Sequence, residues 1–307
     1  MRTGREIMKK AYFQIILATF MWGTMGIFVR GLSALGISRM QISLLRVLTA
    51  VVSMIPIVLW KYKRLPKVRL IDLWCFIGTG VISLTLYNLC YFTSMQHLTL
   101  SMAAVLTYTS PAFVILLSAV LFREKITQRR FWALILVFAG CAMVTGVVGG
   151  GTQHITFAGL LYGLGAGLSY ALYSIFSRFA LNRGYDTLTI TVYTFLFSTI
   201  GCIPLADVGT VITYMTPMGW IYAISLGTLC CSFPYMLYTK SLSAIDNGTA
   251  SLLSTVETVV ATVIGVFLYD EMLHWYNIVG IIVLFAGLCL PVYQIKQIGE
   301  KQNGKIS

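Results

Sequence analysis

Charged side chains are scarce in this sequence. Asp, Glu, Lys and Arg make up 10% of its 307 residues, against roughly 25% in an average soluble domain. A soluble fold of this length could not hide a composition that is 58% hydrophobic, with a mean hydropathy of +0.83, so the surrounding solvent must be largely lipid. Acidic residues are the rarer sign, ten against 22 Lys and Arg. A net charge of +12 would suggest nucleic acid in a soluble chain. Here no soluble domain exists to carry a basic face, which excludes that partner. Histidine is nearly absent, and His97, His154 and His274 are too scattered for a metal site. The seven cysteines lie in apolar runs without zinc-like spacing, and are expected as small buried hydrophobes at helix contacts. No Walker motif, HExxH, paired catalytic carboxylates or nucleophile elbow is present. No metal, no cofactor and no enzymatic reaction is expected. Gly163, Gly165 and Gly167 imitate a nucleotide loop, but they lie in an apolar run with no strand before them. Gly159, Gly163 and Gly167 form instead a small-residue ridge suited to helix contact.

What is present is a series of long apolar runs. A spanning helix needs about 20 mostly apolar residues. Ten candidates occur, near 11–29, 40–60, 71–95, 99–121, 130–148, 157–180, 188–206, 217–240, 246–269 and 275–295. The first lacks a small-residue cleavage site and reads as a retained span. Lys and Arg collect in alternate loops. Arg2, Arg5, Lys9 and Lys10 precede span 1, and Lys61, Lys63, Arg64, Lys67 and Arg69 follow span 2. Arg123, Lys125, Arg129 and Arg130 follow span 4, Arg178 and Arg183 end span 6, and Lys240 ends span 8. Lys296, Lys301 and Lys305 form the tail. Nineteen basic residues thus face only Arg30 and Arg39 on the other side, with Arg46 inside span 2. By the positive-inside rule both termini are cytoplasmic, in a multi-pass protein of the cell's inner membrane.

The sequence also repeats. Residues 103–140 fall on 250–287 at an offset of 147 without a gap, placing Glu124 on Glu271 and Phe138-Ala139-Gly140 on Phe285-Ala286-Gly287. The copies are spans 4–5 and 9–10. An offset of five spans inverts the second copy in the membrane, and inverted repeats are typical of secondary transporters. The fold class expected is an all-α integral membrane protein, ten spans in two inverted five-helix repeats. Residues 1–148 and 153–295 are the repeats, 149–152 a Gly-rich joint and 296–307 a cytoplasmic tail.

The chain resembles EamA-type members of the drug/metabolite transporter superfamily. The resemblance rests on Trp22-Gly23-Thr24, Leu45-Arg46, Tyr108 to Pro111, Phe122-Arg123-Glu124, Glu257, Glu271-Met272-Leu273, and the Gly140 and Gly287 helix endings. It covers about residues 10–295. It implies a central cavity lined mainly by spans 1, 3, 4, 6, 8 and 9, and transport of small metabolites, often export. Thr258 stands where many relatives have proline, so a bend is expected at Pro111 in span 4 with less reason for one in span 9.

Glu257 is the leading functional candidate. It lies near the middle of span 9, where a carboxylate costs about 2.5–3.5 kcal/mol on insertion scales. It is read as a proton-coupling site or a partner for a cationic substrate group; the competing reading is a structural hydrogen bond. For Arg46, snorkelling to the outer interface or structural pairing is the simpler reading, with a substrate carboxylate as the alternative. Aromatic and hydroxyl residues crowd the expected cavity walls: Trp22, Thr24, Tyr87, Tyr91, Tyr108, Ser110, Tyr170, Tyr173, Ser174 and Tyr235 are substrate-binding candidates. Rings with polar handles suit a small amphipathic solute, although interfacial belts and helix packing use the same residues. Pro111 and Pro234 are candidate hinges. The function expected is alternating-access transport of an amino acid or related metabolite, driven by a gradient of substrate or protons and directed outward. Import by the same fold and a non-transport lipid-handling role are the alternatives. Partners are the solute, protons and membrane lipid, and the protein is a monomer or a homodimer.

Overall fold

The computed structural model describes residues 2–63, 66–98, 100–145, 147, 156–270, 272 and 274–303. The joint placed at 149–152, and Glu271 and Leu273 of the second elbow, lie outside the described residues. Among the described residues all regular structure is helical. The columns are α1 (Glu6–Ala34), α2 (Arg39–Tyr62), α3 (Leu70–His97), α4 (Met102–Phe122) and α5 (Gln128–Val144). They continue with α6 (Phe157–Asn182), α7 (Thr187–Leu205), α8 (Pro217–Ser241), α9 (Asn247–Tyr269) and α10 (Trp275–Asn303). Eight are long and apolar enough to cross a membrane. The expected ten is not reached on that measure. α5 is 17 residues long and opens on Gln-Arg-Arg, and the apolar part of α10 is only Trp275–Leu290. α10 continues to Asn303, past the boundary at 295.

The outside of the bundle is greasy. Phe13, Trp60, Val120, Trp132, Phe267 and Ile282 are all exposed, a surface tolerable only against lipid. This is a multi-pass membrane protein. Six cysteines are buried as expected, but Cys289 is exposed on α10, where a thiol costs little against lipid.

The repeat is visible in the packing. α1 packs on α8 and α9 as α6 packs on α3 and α4, α2 packs on α8 as α7 packs on α3, and α5 packs on α10. Each half therefore buries its apolar faces largely against the other half. The ridge of α6 serves this contact. A side chain at Gly159, Gly163 or Gly167 would strike Leu98, Leu106 or Thr109 respectively. The elbows also match: Arg123 and Asp270, 147 apart, both adopt a left-handed backbone, with φ of 55° and 51°.

Three columns are broken in mid-course. α1 breaks at Thr24, α4 at Tyr108-Thr109 and α9 at Thr255. Pro111 lies at the head of the second half of α4, where a missing N–H leaves no gap. The break in α9 corrects the weaker expectation there. Its cause is threonine: Thr24, Thr109 and Thr255 each donate their hydroxyl to the carbonyl three residues back, at 2.7, 2.6 and 2.7 Å. Such back-bonding competes with the helical ladder and bends it.

Two further columns carry a wide turn at matching positions, Gly78–Thr85 in α3 and Thr228–Ser232 in α8. A wide turn leaves carbonyls without their usual partner. Thr85 Oγ1 donates to Gly80 O at 3.2 Å, and Ser232 Oγ donates to Gly227 O at 3.0 Å. Both pairs are related by the same offset of 147. Pro234 follows the wide turn of α8. Single wide turns inside helices are frequent at functional sites.

At one end Asp186 clasps α2 to α7. It accepts from Lys61 Nζ at 2.8 Å, and from Thr189 and Tyr62. Burial pushes its carboxyl up, but these three bonds outweigh it and hold the group down at about 2. A depressed acid contributes stability above its ordinary 3.8 and loses it only as the pH falls toward 2. The clasp therefore carries no pH dependence near neutrality.

Candidate functional site

A small cavity lies between the two halves. Its wall comprises Trp22 of α1, Ser83, Leu84 and Tyr87 of α3, Tyr170, Tyr173 and Ser174 of α6, and Tyr235 and Tyr238 of α8. It has room for about a single water. The wide turns of α3 and α8 place this wall, because Ser83 lies within one and Tyr235 just beyond the other. The rings pack edge to face: Trp22 on Tyr235 at 5.2 Å between centroids, and Tyr173 on Tyr235 at 4.9 Å and 89°. Tyr87 leans on Tyr170 at 5.5 Å and stacks on Tyr91 at 5.6 Å. These geometries suit the aromatic quadrupole.

Not every polar handle is available. Tyr173 Oη shares a hydrogen bond of 2.6 Å with Thr239, and Ser174 shares one of 2.8 Å with Tyr238 Oη. Those hydroxyls tie α6 to α8. Trp22 Nε1 and Ser83 Oγ are buried without a partner.

Of the predicted residues, Trp22, Tyr87, Tyr170, Tyr173, Ser174 and Tyr235 meet at the cavity. Thr24 does not. Its hydroxyl is spent on the helix break and lies 3.5 Å from Cys230 Sγ. Ser110 is buried outside the wall. Tyr91 supports Tyr87 from behind, and Tyr108 is partly buried against the main core. Ser83 and Leu84 were missed. Ser83 is four residues before Tyr87 and so shares its helix face, which is the signal that would have found it.

Glu257 is partly buried in the first turn of the second half of α9. The break at Thr255 puts a helix N-terminus there, whose dipole favours negative charge. The carboxylate has the Tyr87, Tyr91, Tyr108 and Tyr170 hydroxyls and the Arg46 guanidinium within electrostatic reach. Of the two simpler readings of Arg46, snorkelling and structural pairing, the structure has the pairing. Arg46 is 9% exposed and turned into the bundle, donating Nη2 to Asn88 Oδ1 and Nη1 to Met25 Sδ, both at 3.2 Å. α2 packs on both α7 and α8, which helps bury Arg46.

These features together are those of a carrier: two halves, broken helices and a buried polar-aromatic cavity between them. Residues 9–146 and 157–293 both match the pattern of the EamA-like transporter family. The chain belongs to that family. A protein of Archaeoglobus fulgidus named as an uncharacterized transporter is 26% identical over 280 residues, 90% of this chain and 94% of its own. The uncharacterized transporter YwfM of Bacillus subtilis is 26% identical over 277 residues, 89% of this chain and 90% of its own. The pseudopaline exporter CntI of Pseudomonas aeruginosa is 32% identical over 122 residues, 39% of this chain and 41% of its own. A solved crystal structure with 16% identity shares the fold, with a TM-score of 0.77 over 94% of this chain and 99% of that one. The EamA-like fold accounts for both the membrane spans and the internal repeat.

A second cavity of about 350 Å³ opens at the end that bears the basic elbow. Phe122, Glu124, Arg178, Asn182, Ile245 and Asp246 line it. Polar bonds join the residues around it, among them Arg130 to Asp246, which crosses between the halves. Arg130 reaches Asp246 at 2.8 Å and Glu124 at 3.7 Å, while Arg178 donates to Asn247 Oδ1 at 3.0 Å and Ile245 O at 2.6 Å. Burial pushes the Glu124 carboxyl up, Asp246 adds to this, and the Asn247 N–H with Arg130 and Arg178 only partly offsets it. A raised acid contributes stability below its ordinary 4.5 and loses it as the pH rises through the folded value. Glu124→Gln is therefore expected to raise the melting temperature in detergent near pH 7, with the gain vanishing as the pH falls to 4.5. A lower melting temperature at pH 7 would show that the Arg130 pair dominates.

Proposed function

We propose that this EamA-like transporter moves an amino acid or related metabolite out of the cell across the inner membrane by alternating access. All ten columns span the bilayer, and the basic loops and both termini face the cytoplasm. The observation that carries this reading is the cavity shared by α1, α3, α6 and α8, too small to hold a solute in the present state. A solute can enter only if the halves part, and their near-symmetric packing supplies two equivalent ways to do so. The break ahead of Pro111 and the wide turn before Pro234 are the hinges. The vestibule at the basic elbow is the cytoplasmic entrance, and the Arg130–Asp246 pair beside it is the gate. Trp22, Tyr87, Tyr170 and Tyr235 hold the solute. Glu257 exchanges a proton while Arg46 and the tyrosines of α3, α4 and α6 face it. The outward direction draws support from the relative named as a pseudopaline exporter.

The test is flux from proteoliposomes loaded with labelled amino acids, with and without a proton gradient. Gradient-stimulated flux of one solute is the expected result. Flux that ignores the gradient would make the protein a facilitator. No flux for any solute would favour a lipid-handling role.

A further inference from the structure

One buried donor in the cavity wall, and two on residues that neighbour it, lack acceptors. Arg46 Nε, Asn88 Nδ2 and Trp22 Nε1 are all without a hydrogen-bond partner, and their residues are 9%, 2% and 8% exposed. An unsatisfied buried donor is destabilising, and a buried charge without a counter-ion is more so. Arg46 bonds Asn88 directly. Its electrostatic neighbours include Tyr87 and Tyr235, both in the cavity wall, and Trp22 packs on Tyr235. No carboxylate lies within 4.0 Å of Arg46 among the described residues, and Glu257 is the acid within its electrostatic reach.

Three unpaired donors, one of them cationic, describe a site awaiting an anionic acceptor. We propose that Arg46, with Asn88 and Trp22, receives the carboxylate of a zwitterionic substrate, whose cationic group faces Glu257. This rests on the transport reading above and names the chemistry of its solute. A guanidinium offers the carboxylate a planar pair of donors. With both poles engaged, the loaded site has no uncompensated charge, which a low-dielectric interior requires. The rings between the poles accept an apolar side chain. Arg46 thus determines which solutes fit, and Glu257 alone would select amines.

The test uses the full protein in nanodiscs and three matched probes: phenylalanine, phenylalaninamide and phenethylamine. The last two lack the carboxylate and keep the ring and the amine. Stabilisation and binding are measured alongside flux in proteoliposomes over a broad panel of acids, amines and sugars. The expected result is binding of carboxylate-bearing zwitterions at least tenfold tighter than of their amides or amines. Arg46→Gln should remove that preference, and Arg46→Lys should restore part of it. If the variants do not fold, the wild-type probe series still decides. Equal binding of acid, amide and amine would overturn the assignment, as would unchanged discrimination in Arg46→Gln. Flux confined to solutes without a carboxylate would overturn it and leave the transporter reading intact. Absence of flux for every solute would overturn both.

Discussion

Glu257→Gln is expected to abolish accumulation driven by a proton gradient. A gradient of one pH unit stores 1.36 kcal/mol per proton, enough for about a tenfold solute ratio across the membrane if one proton is exchanged per cycle. The variant should return that ratio to one while retaining downhill exchange. Glutamine keeps the length and hydrogen-bonding shape of the side chain but cannot carry the proton. Glu257 is proposed for this role because of its surroundings. It lies in the first turn of a half-helix, within electrostatic reach of hydroxyls from α3, α4 and α6 and of Arg46. A purely structural Glu257 would show itself by loss of downhill exchange and of folding together, with no separate effect of the gradient. A variant that concentrates solute like the wild type at every pH would dismiss coupling through this residue.

The largest effect on folding is expected at the contact of α5 and α10. A Cβ at Gly140 would lie 2.6 Å from Leu284 N and 2.8 Å from Leu284 Cα. Both are backbone atoms, so no rotamer change relieves the clash. Overpacking of this kind costs about 1–3 kcal/mol when side chains can yield, and a pair of backbones must separate entirely. Gly280 and Gly287 face backbone in the same seam, so the helices cannot slide to a better register. Gly140→Leu should therefore lose the monodisperse folded species in detergent, or melt well below the wild type. Gly26→Leu is the control, since nothing lies within 4 Å of a Cβ there. A Gly140→Leu protein as stable as that control would mean the seam is not needed for the fold. The driving force between helices in lipid is close packing rather than the hydrophobic effect, which is why a single methylene group matters here.

Much of this architecture was legible in the chain. The offset of 147 that lays Glu124 on Glu271 also relates the left-handed elbows at Arg123 and Asp270 and the wide turns at Gly80 and Gly227. The first of these was readable because identity survives where two helices must turn the same way. The wide turns were not, since an extra residue in a helical turn leaves no mark on hydrophobic content. The break at Thr255 was also missed. Proline advertises a bend, whereas a threonine bends a helix only when its hydroxyl is free to back-bond, and that depends on its neighbours. Six of the ten ring and hydroxyl candidates reach the cavity; Thr24, Tyr91, Tyr108 and Ser110 do not, because their position along the helix says nothing of which way the face turns.

Composition and periodicity alone determined that the protein lives in lipid, that it is helical throughout, and that it is built from two related halves. These are properties of the whole chain, summed over many residues and insensitive to any one contact. The tertiary structure decided what sums cannot express. It turned Arg46 inward, on a helix packed against α7 and α8. It left a donor unpaired on each of Trp22, Arg46 and Asn88, and it set Glu257 at the head of a half-helix within electrostatic reach of Arg46. Whether a buried charge is an ornament of the surface or the centre of a site depends on which helices cover it, and that is a matter of packing.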